Sequence, residues 1–126
     1  MTPLANAELA IMNLLWERPR ATARELREEL YPNATRAQHG TIQKLLQRLE
    51  DKGYVTRDRS LQVHLFAAAL TRQAYAGGQL ESLADKLTGG SLAPLITHLL
   101  EEKKISKGEI ARLRELLDGP ASGGRP

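Results

Sequence analysis

The feature that most constrains this chain is a helical pattern that ends at a glycine and leads at once into a β-rich pattern. Between residues 40 and 53 the apolar side chains have the i, i+3, i+4, i+7 spacing of one buried helical stripe, at Ile42, Leu45, Leu46 and Leu49. Residues 54–58 and 62–66 are rich in β-forming side chains and are separated by residues 59–61. The sequence therefore predicts a helix that is followed directly by a β-hairpin.

Two further helices are predicted upstream of this one. Residues 7–17 carry a broad apolar face that includes Trp16. Thr22 and Glu25 have the spacing of a capping box, in which each side chain accepts a hydrogen bond from the backbone N–H of the other residue. This box opens a short helix that ends before Pro32.

The order of three helices and a hairpin is the layout of a winged helix, whose third helix enters the major groove of DNA while the hairpin lies on the backbone or an adjacent groove. Here the third helix begins either at a second candidate capping box, residues 35–38, or near Gly40. We therefore predict a mainly α fold with a small β-hairpin, in which residues 1–70 form a winged helix-turn-helix DNA-binding domain.

The distribution of charge agrees with a nucleic-acid partner. The 126 residues carry a formal net charge of +3, and residues 34–64 contain six bases and three acids, which equals the whole surplus. A local concentration of bases is typical of DNA-binding surfaces, although many solvated helix faces look similar. The predicted third helix lies within this segment.

Composition argues against several other functions. The chain has no cysteine, which excludes disulfides and thiolate metal sites. Its histidines, His39, His64 and His98, lie on different predicted elements without metal-ligand spacing, and no glycine-rich phosphate loop is present. We therefore expect no catalysis, metal or cofactor. The absence of a run of about 18 apolar residues and of a signal-peptide pattern predicts a cytoplasmic protein without membrane insertion.

The second half of the chain has a helical pattern of its own. Thr71 can cap a helix that runs toward Lys86 with an interruption at Gly77 and Gly78, Ser91 can start another, and a capping box at residues 106–109 opens a third. The apolar stripes of the last two helices comprise Leu92, Leu95, Ile96, Leu99, Ile110, Leu113 and Leu117.

Helices this short make a poor core alone, so we predict that residues 71–118 form a dimerisation domain whose stripes bury against a second copy. The alternative is that they pack back on the winged helix as one monomeric domain. The glycine-rich end, residues 119–126, is predicted to be a flexible tail.

Several stretches resemble the penicillinase-repressor (BlaI/MecI/CopY) family. These are residues 7–17, 21–26, 41–43, 48–53, 91–92 and 101–110. The resemblance implies a bacterial homodimeric repressor whose winged helix reads a palindromic operator. It also implies relief by a membrane-bound sensor protease that triggers cleavage between the two parts, here in the region of residues 83–91. The copper-responsive branch binds metal through a cysteine cluster, which this chain lacks.

Carried over to matching positions, the resemblance places Thr41 and Lys44 at base edges or phosphates and Arg48 nearer the backbone. Paired donors and acceptors on Gln38 and Gln43 also suit base edges. The full set of predicted DNA contacts is Gln38, His39, Thr41, Gln43, Lys44, Arg48, Arg57, Arg59 and Gln62. The hairpin tip is Leu61-Gln62 where the family usually has Gly-Arg, so the helix contacts carry more weight than the hairpin contacts.

A second function remains open, namely a winged-helix module that binds another protein through the same helix or hairpin. Such a surface should present exposed aromatic or apolar anchors. The predicted outer face of the third helix presents polar and basic groups instead, which favours DNA.

Overall fold

A computed structural model describes residues 3–33 and 36–118 of the chain. This part contains six α-helices and one antiparallel pair of strands, which confirms the predicted mainly helical fold with a small hairpin. In chain order the elements are α1 (Asn6–Glu17), α2 (Ala23–Leu30), α3 (Arg36–Asp51), β1 (Val55–Asp58), β2 (Leu65–Ala68), α4 (Arg72–Thr88), α5 (Ala93–Glu101) and α6 (Lys107–Asp118). The chain divides into two compact units, the first ending at Leu80 and the second beginning at Glu81.

The core of the first unit is built from one face of each of its first three helices and from the hairpin. The predicted stripe of α3 is buried in full, together with apolar side chains of α1 and α2 and the aromatic residues of the hairpin segment. The largest fully buried side chains are Ile11, Met12, Leu26, Ile42, Leu46 and Leu49. Burying one such stripe on α3 leaves its other side exposed, because successive side chains point around the helix axis.

A side-chain cap forms at the N-terminus of α2 but not at that of α1. Thr22 and Glu25 form the predicted box, with the Thr22 N–H donating to Glu25 Oε1 at 2.8 Å and the Glu25 N–H donating to Thr22 Oγ1 at 3.1 Å. At α1 the cap position is Ala5, whose side chain makes no cap hydrogen bond, and Glu8 accepts from the Ala5 N–H at 3.0 Å.

Helix α3 already includes Gly40, so it begins before that residue. The candidate capping residue Thr35 lies outside the described residues. At the other end, Gly53 has a φ of 82°. The Tyr54 N–H donates to the Leu49 carbonyl at 2.9 Å and the Gly53 N–H donates to the Glu50 carbonyl at 3.0 Å. This is a Schellman motif, which ends the helix and turns the chain into β1.

The hairpin differs from the prediction in its second strand, which begins at Leu65 and not at residue 62. The strands pair from Val55 opposite Ala68 to Asp58 opposite Leu65. The Asp58 carboxylate accepts hydrogen bonds from the Ser60 N–H at 2.9 Å and from its hydroxyl at 2.6 Å, which turns the chain out of the ladder. Gln62 therefore lies in the loop.

The first turns of α4 belong to the first unit, whereas the predicted division after residue 70 assigned them to the second part. Tyr75 packs with its ring centroid 5.9 Å from that of Trp16 and 6.0 Å from that of Tyr54. Its hydroxyl accepts a hydrogen bond from the Leu4 N–H at 2.9 Å, and Trp16 Nε1 donates to the Leu70 carbonyl at 3.0 Å. These contacts join the start of α4 to the three-helix core.

Helix α4 runs without a break through Gly77 and Gly78, so the predicted interruption is wrong. Its N-terminus is capped as predicted, since Thr71 Oγ1 accepts from the Ala74 N–H at 3.0 Å. The local propensity cost of each glycine is about 1 kcal/mol, which the remainder of a long helix tolerates.

In the second unit, α5 begins at Ala93 with Leu92 at its cap position, so Ser91 does not cap it. The box at the start of α6 is confirmed, with the Glu109 N–H donating to Ser106 Oγ at 3.1 Å and the Ser106 N–H donating to Glu109 Oε1 at 3.0 Å. Within the described residues, no helix is both long and apolar enough to cross a lipid bilayer. The predicted tail, residues 119–126, lies outside the described part.

Candidate nucleic-acid interface

The outer face of α3 carries most of the predicted contact residues. Thr41, Gln43, Lys44 and Arg48 are exposed, and Gln38 and His39 are half-buried at the start of the helix. Gln47 is exposed on the same side of the helix and was not predicted. Its position three residues after Lys44 is the sequence signal that could have identified it, because residues three and four apart share a helix face.

The cations of this region differ in how far they are already neutralised. Within the described residues, neither Lys44 nor Arg48 forms an ion pair. Lys44 and Arg48 lie one turn apart on α3, so the outer face presents two positive charges to solvent.

Arg57, which was predicted to contact the DNA backbone, is largely buried between the hairpin and α3. Its side chain is 12% exposed, and its Nε atom lies 3.3 Å from Glu50 Oε1. The guanidinium carbon lies 4.7 Å from the centroid of the Phe66 ring, and Nη2 lies 3.5 Å from Gln47 Oε1. Arg57 therefore braces the hairpin against α3 through a cation–π contact and an ion pair.

Arg59 shares the same carboxylate but is far more exposed. Its Nη2 atom donates to Glu50 Oε1 at 3.0 Å and its Nη1 atom lies 3.0 Å from Glu50 Oε2, which forms a forked pair. The Arg59 side chain is 52% exposed. The hydrogen bond from Arg59 is the main reason that the pKa of Glu50 is held below its ordinary value.

A cleft of about 360 Å³ lies between the start of α2, the outer face of α3 and the hairpin loop. It brings three predicted residues together, because His39, Gln43 and Gln62 all line it along with His64. Gln43 Nε2 lies 3.4 Å from His39 Nε2. No cluster of three His, Asp or Glu side chains that could hold a metal ion occurs in residues 3–33 and 36–118.

The C-terminal end of α3 is anchored by a buried carboxylate that was not predicted from the sequence. Glu8 on α1 is 3% exposed, and Lys52 Nζ lies 3.0 Å from its Oε2 and 3.1 Å from its Oε1. Burial raises the pKa of Glu8, but hydrogen bonds from the Ala5 N–H and Lys52 outweigh it, so the pKa lies below its ordinary value. The pair holds the end of α3 against α1.

Glu8→Gln should lower the free energy of unfolding by about 1 to 2 kcal/mol at pH 7. The amide still accepts the hydrogen bond from the Ala5 N–H, but it no longer carries the negative charge that pairs with Lys52. A carboxylate with a lowered pKa in the folded state stabilises above its ordinary pKa and loses that contribution as pH falls through the folded value. Urea denaturation should therefore show the difference in unfolding free energy between the variant and the wild type shrinking as the pH falls below about 4.3, the ordinary pKa of a glutamate. A gap that is constant with pH would contradict the charge pairing.

The three-helix core, the hairpin and the exposed basic face of α3 define a winged-helix protein. The chain belongs to the penicillinase-repressor family, because the family model described as penicillinase repressor matches residues 4–119.

Individual relatives agree with this assignment at low identity. The chain is 25% identical to the penicillinase repressor of Bacillus licheniformis over 91% of its length and 89% of that protein. It is 31% identical to the transcriptional regulator BlaI of Mycobacterium tuberculosis over 93% of its length and 84% of that protein. A solved structure of a ZitR mutant from Lactococcus lactis aligns with 17% identity and a TM-score of 0.46, covering 98% of this chain and 77% of that chain.

Proposed function

We propose that this protein is a sequence-specific DNA-binding transcriptional repressor that acts as a homodimer on a palindromic operator. The observation that carries the proposal is the outer face of α3, where Lys44 and Arg48 are exposed one turn apart beside Thr41, Gln43 and Gln47. Membership of the penicillinase-repressor family supports the same function.

In this proposal each side chain of the face has a chemical task. Lys44 donates to the O6 and N7 acceptors of guanine, or to a phosphate. Thr41 offers a hydroxyl or a methyl group to a base edge, and Gln43 and Gln47 offer paired donors and acceptors. Arg48, nearer the end of the helix, neutralises the phosphate backbone and so adds affinity that does not depend on sequence.

The hairpin contributes in two different ways. Arg57 is almost wholly engaged with Glu50 and Phe66, so we assign it the task of holding the hairpin against α3. Gln62 is exposed in the loop and is assigned to the backbone of the operator. Arg59 is also exposed, but its guanidinium is bound to Glu50, so we assign it no phosphate contact. His39, at the cleft between α3 and the hairpin loop, would lie at the edge of the contact.

The second unit supplies the proposed subunit interface. Among residues 81–118, Ala84 is the one buried apolar residue, and α5 and α6 bury none in the single chain. The exposed apolar side chains here comprise the predicted Ile96, Leu99, Leu113 and Leu117 and the unpredicted Leu83, Leu87, Leu100 and Leu116. Several large exposed apolar side chains in so short a segment are typical of an interaction site, and a second copy of the chain would cover them with matching helices.

Relief by proteolysis linked to a membrane-bound sensor remains part of the proposal. Most of the predicted region is helical, because α4 continues to Thr88. Gly89 and Gly90 have φ values of 66° and 97° and are exposed, as is Ser91, so these residues are the accessible non-helical stretch before α5. Cleavage there would separate the dimerisation helices from the winged helix.

A protein-binding winged helix is the second candidate, and one observation favours it. Leu61 and Val63 in the hairpin loop are 60% and 59% exposed, which gives the loop the apolar anchors that the face of α3 lacks. The two candidates differ in what the isolated protein selects from genomic DNA.

The direct test is selection of genomic fragments by the purified protein, followed by footprinting. A homodimeric winged helix should enrich a two-fold symmetric sequence and protect half-sites whose centres lie about 10 base pairs apart or a multiple of that. Enrichment of no sequence over random fragments would contradict the repressor function and favour the protein-binding module.

Arg48→Gln should weaken binding almost evenly across sequences and reduce the slope of log affinity against log salt by about 0.9 units, because one phosphate contact and its released counterion are lost. The measurement is fluorescence anisotropy on a random duplex and on a selected fragment over a range of salt. Lys86→Gln on α4 removes the same charge from the second unit and should leave the slope unchanged. Equal slopes in wild type and Arg48→Gln would remove Arg48 from the interface.

A further inference from the structure

Glu50 binds both arginines of the hairpin from its position on α3. Its two oxygens receive the forked guanidinium of Arg59 at 3.0 Å each, and Oε1 also lies 3.3 Å from Arg57 Nε. The side chain of Glu50 is partly buried between the helix and the hairpin. A single carboxylate thus pairs with one cation of β1 and with one cation of the loop that follows it.

This pairing divides the cations of residues 34–64 into two groups. Lys44 and Arg48 have no ion-pair partner within the described residues, so they can neutralise phosphates without breaking an existing bond. Arg59 can do so only by leaving Glu50, and its forked geometry makes two charge-assisted contacts that a phosphate would have to replace.

We propose that Glu50 is an intramolecular competitor of DNA phosphates that withholds Arg59 and thereby limits the sequence-blind affinity of the protein. The inference rests on the proposed DNA-binding function and deepens it. Affinity for random DNA comes almost entirely from the neutralisation of phosphates by cations of the protein. A cation that is held by an internal carboxylate does not contribute to this affinity. Contacts from Thr41 and Lys44 to base edges do not involve Glu50.

Arg59, not Arg57, is the residue that Glu50 controls in this way. Arg57 is held additionally by the Phe66 ring and is 12% exposed, so loss of Glu50 does not free it for DNA. Arg59 is 52% exposed, and no aromatic ring or second acid within the described residues holds it. Removing the carboxylate therefore adds one mobile cation beside the outer face of α3.

The test is binding of the full chain to a labelled random-sequence duplex by fluorescence anisotropy over a range of salt concentrations. Glu50→Gln should bind about 3- to 10-fold more tightly at low salt, and its log–log slope should be steeper by about 0.9 units, since one more counterion is released. Glu81→Gln is the matched control. It removes the same charge from the second unit, where Glu81 is exposed and pairs with no arginine in the described part, so its slope should equal that of the wild type.

The Arg59→Gln variant keeps the inference testable if Glu50→Gln folds poorly by far-UV circular dichroism, and the double variant adds a second test if Glu50→Gln folds well. Arg59→Gln alone should leave the slope on random DNA unchanged, because the withheld cation makes no phosphate contact there. In the Arg59→Gln background, Glu50→Gln should no longer steepen the slope. A slope that falls by about one unit in Arg59→Gln, or weaker binding by a folded Glu50→Gln, would show that Glu50 orients Arg59 toward DNA and would overturn the inference.

The outcome for the wild type separates this inference from the function on which it rests. If the wild type shows no salt-dependent binding to any duplex, the DNA-binding function fails and the inference fails with it. If the wild type binds with a clear salt slope and Glu50→Gln, correctly folded, has the same slope, only the role of Glu50 is overturned.

Discussion

Leu99→Glu is expected to release folded monomers that have lost most of their affinity for the operator. Leu99 lies on α5, is 40% exposed in the single chain and belongs to the apolar surface proposed to join two copies. A glutamate there is solvated in the monomer but would be desolvated without a partner in the dimer, which costs about 3 to 5 kcal/mol.

The loss of operator affinity follows from the loss of linkage between half-sites. When the second winged helix is no longer tethered, the gain of about 100- to 10,000-fold from linked binding disappears. Sedimentation equilibrium would measure the mass, and near-UV circular dichroism of Trp16, which packs in the first unit, would show that the winged helix stays folded.

Thr97→Glu is the control for this change, because Thr97 is exposed on the same helix and lies on another side of it from Leu99. It should remain dimeric and bind the operator normally. Persistence of the dimer in Leu99→Glu at micromolar concentration, or a monomeric wild type that binds the operator tightly, would refute the proposed interface.

Lys44→Ala is expected to weaken binding to the selected operator by about 1 to 3 kcal/mol, with a smaller loss on random DNA. Lys44 is exposed on the outer face of α3, three residues after Thr41 and four residues before Arg48. Loss of a base contact affects the correct sequence more than others, whereas loss of a phosphate contact affects all sequences alike.

The measurement for Lys44→Ala is titration of both duplexes at one salt concentration, with Lys86→Ala as the control for a lost charge in the second unit. Equal losses on the two duplexes would reassign Lys44 to the phosphate backbone. Unchanged affinity for both would mean that the outer face of α3 does not contact DNA.

Local patterns in the sequence predicted the helices and their order, because periodicity and capping depend on residues within a few positions of each other. The buried stripe of α3, the capping boxes at Thr22 and Ser106, and the helix end at Gly53 all follow from such short-range rules. The exposed side of α3 then follows as well, since burying one face leaves the other in solvent. For this reason most of the candidate contact residues could be identified before the fold was known.

Contacts between residues far apart in the chain were decided by the tertiary structure alone. Glu8 and Lys52, and Glu50 with its two arginines, look like ordinary surface charges in the sequence, because no spacing rule connects α1 to the end of α3 or α3 to the hairpin. The docking of Tyr75 on Trp16 and the start of β2 at Leu65 likewise depend on partners brought together by folding. The sequence by itself thus determined which helices form and which face of α3 is polar. Tertiary packing decided which cations of residues 34–64 are held in ion pairs, because ion pairing depends on distance in space.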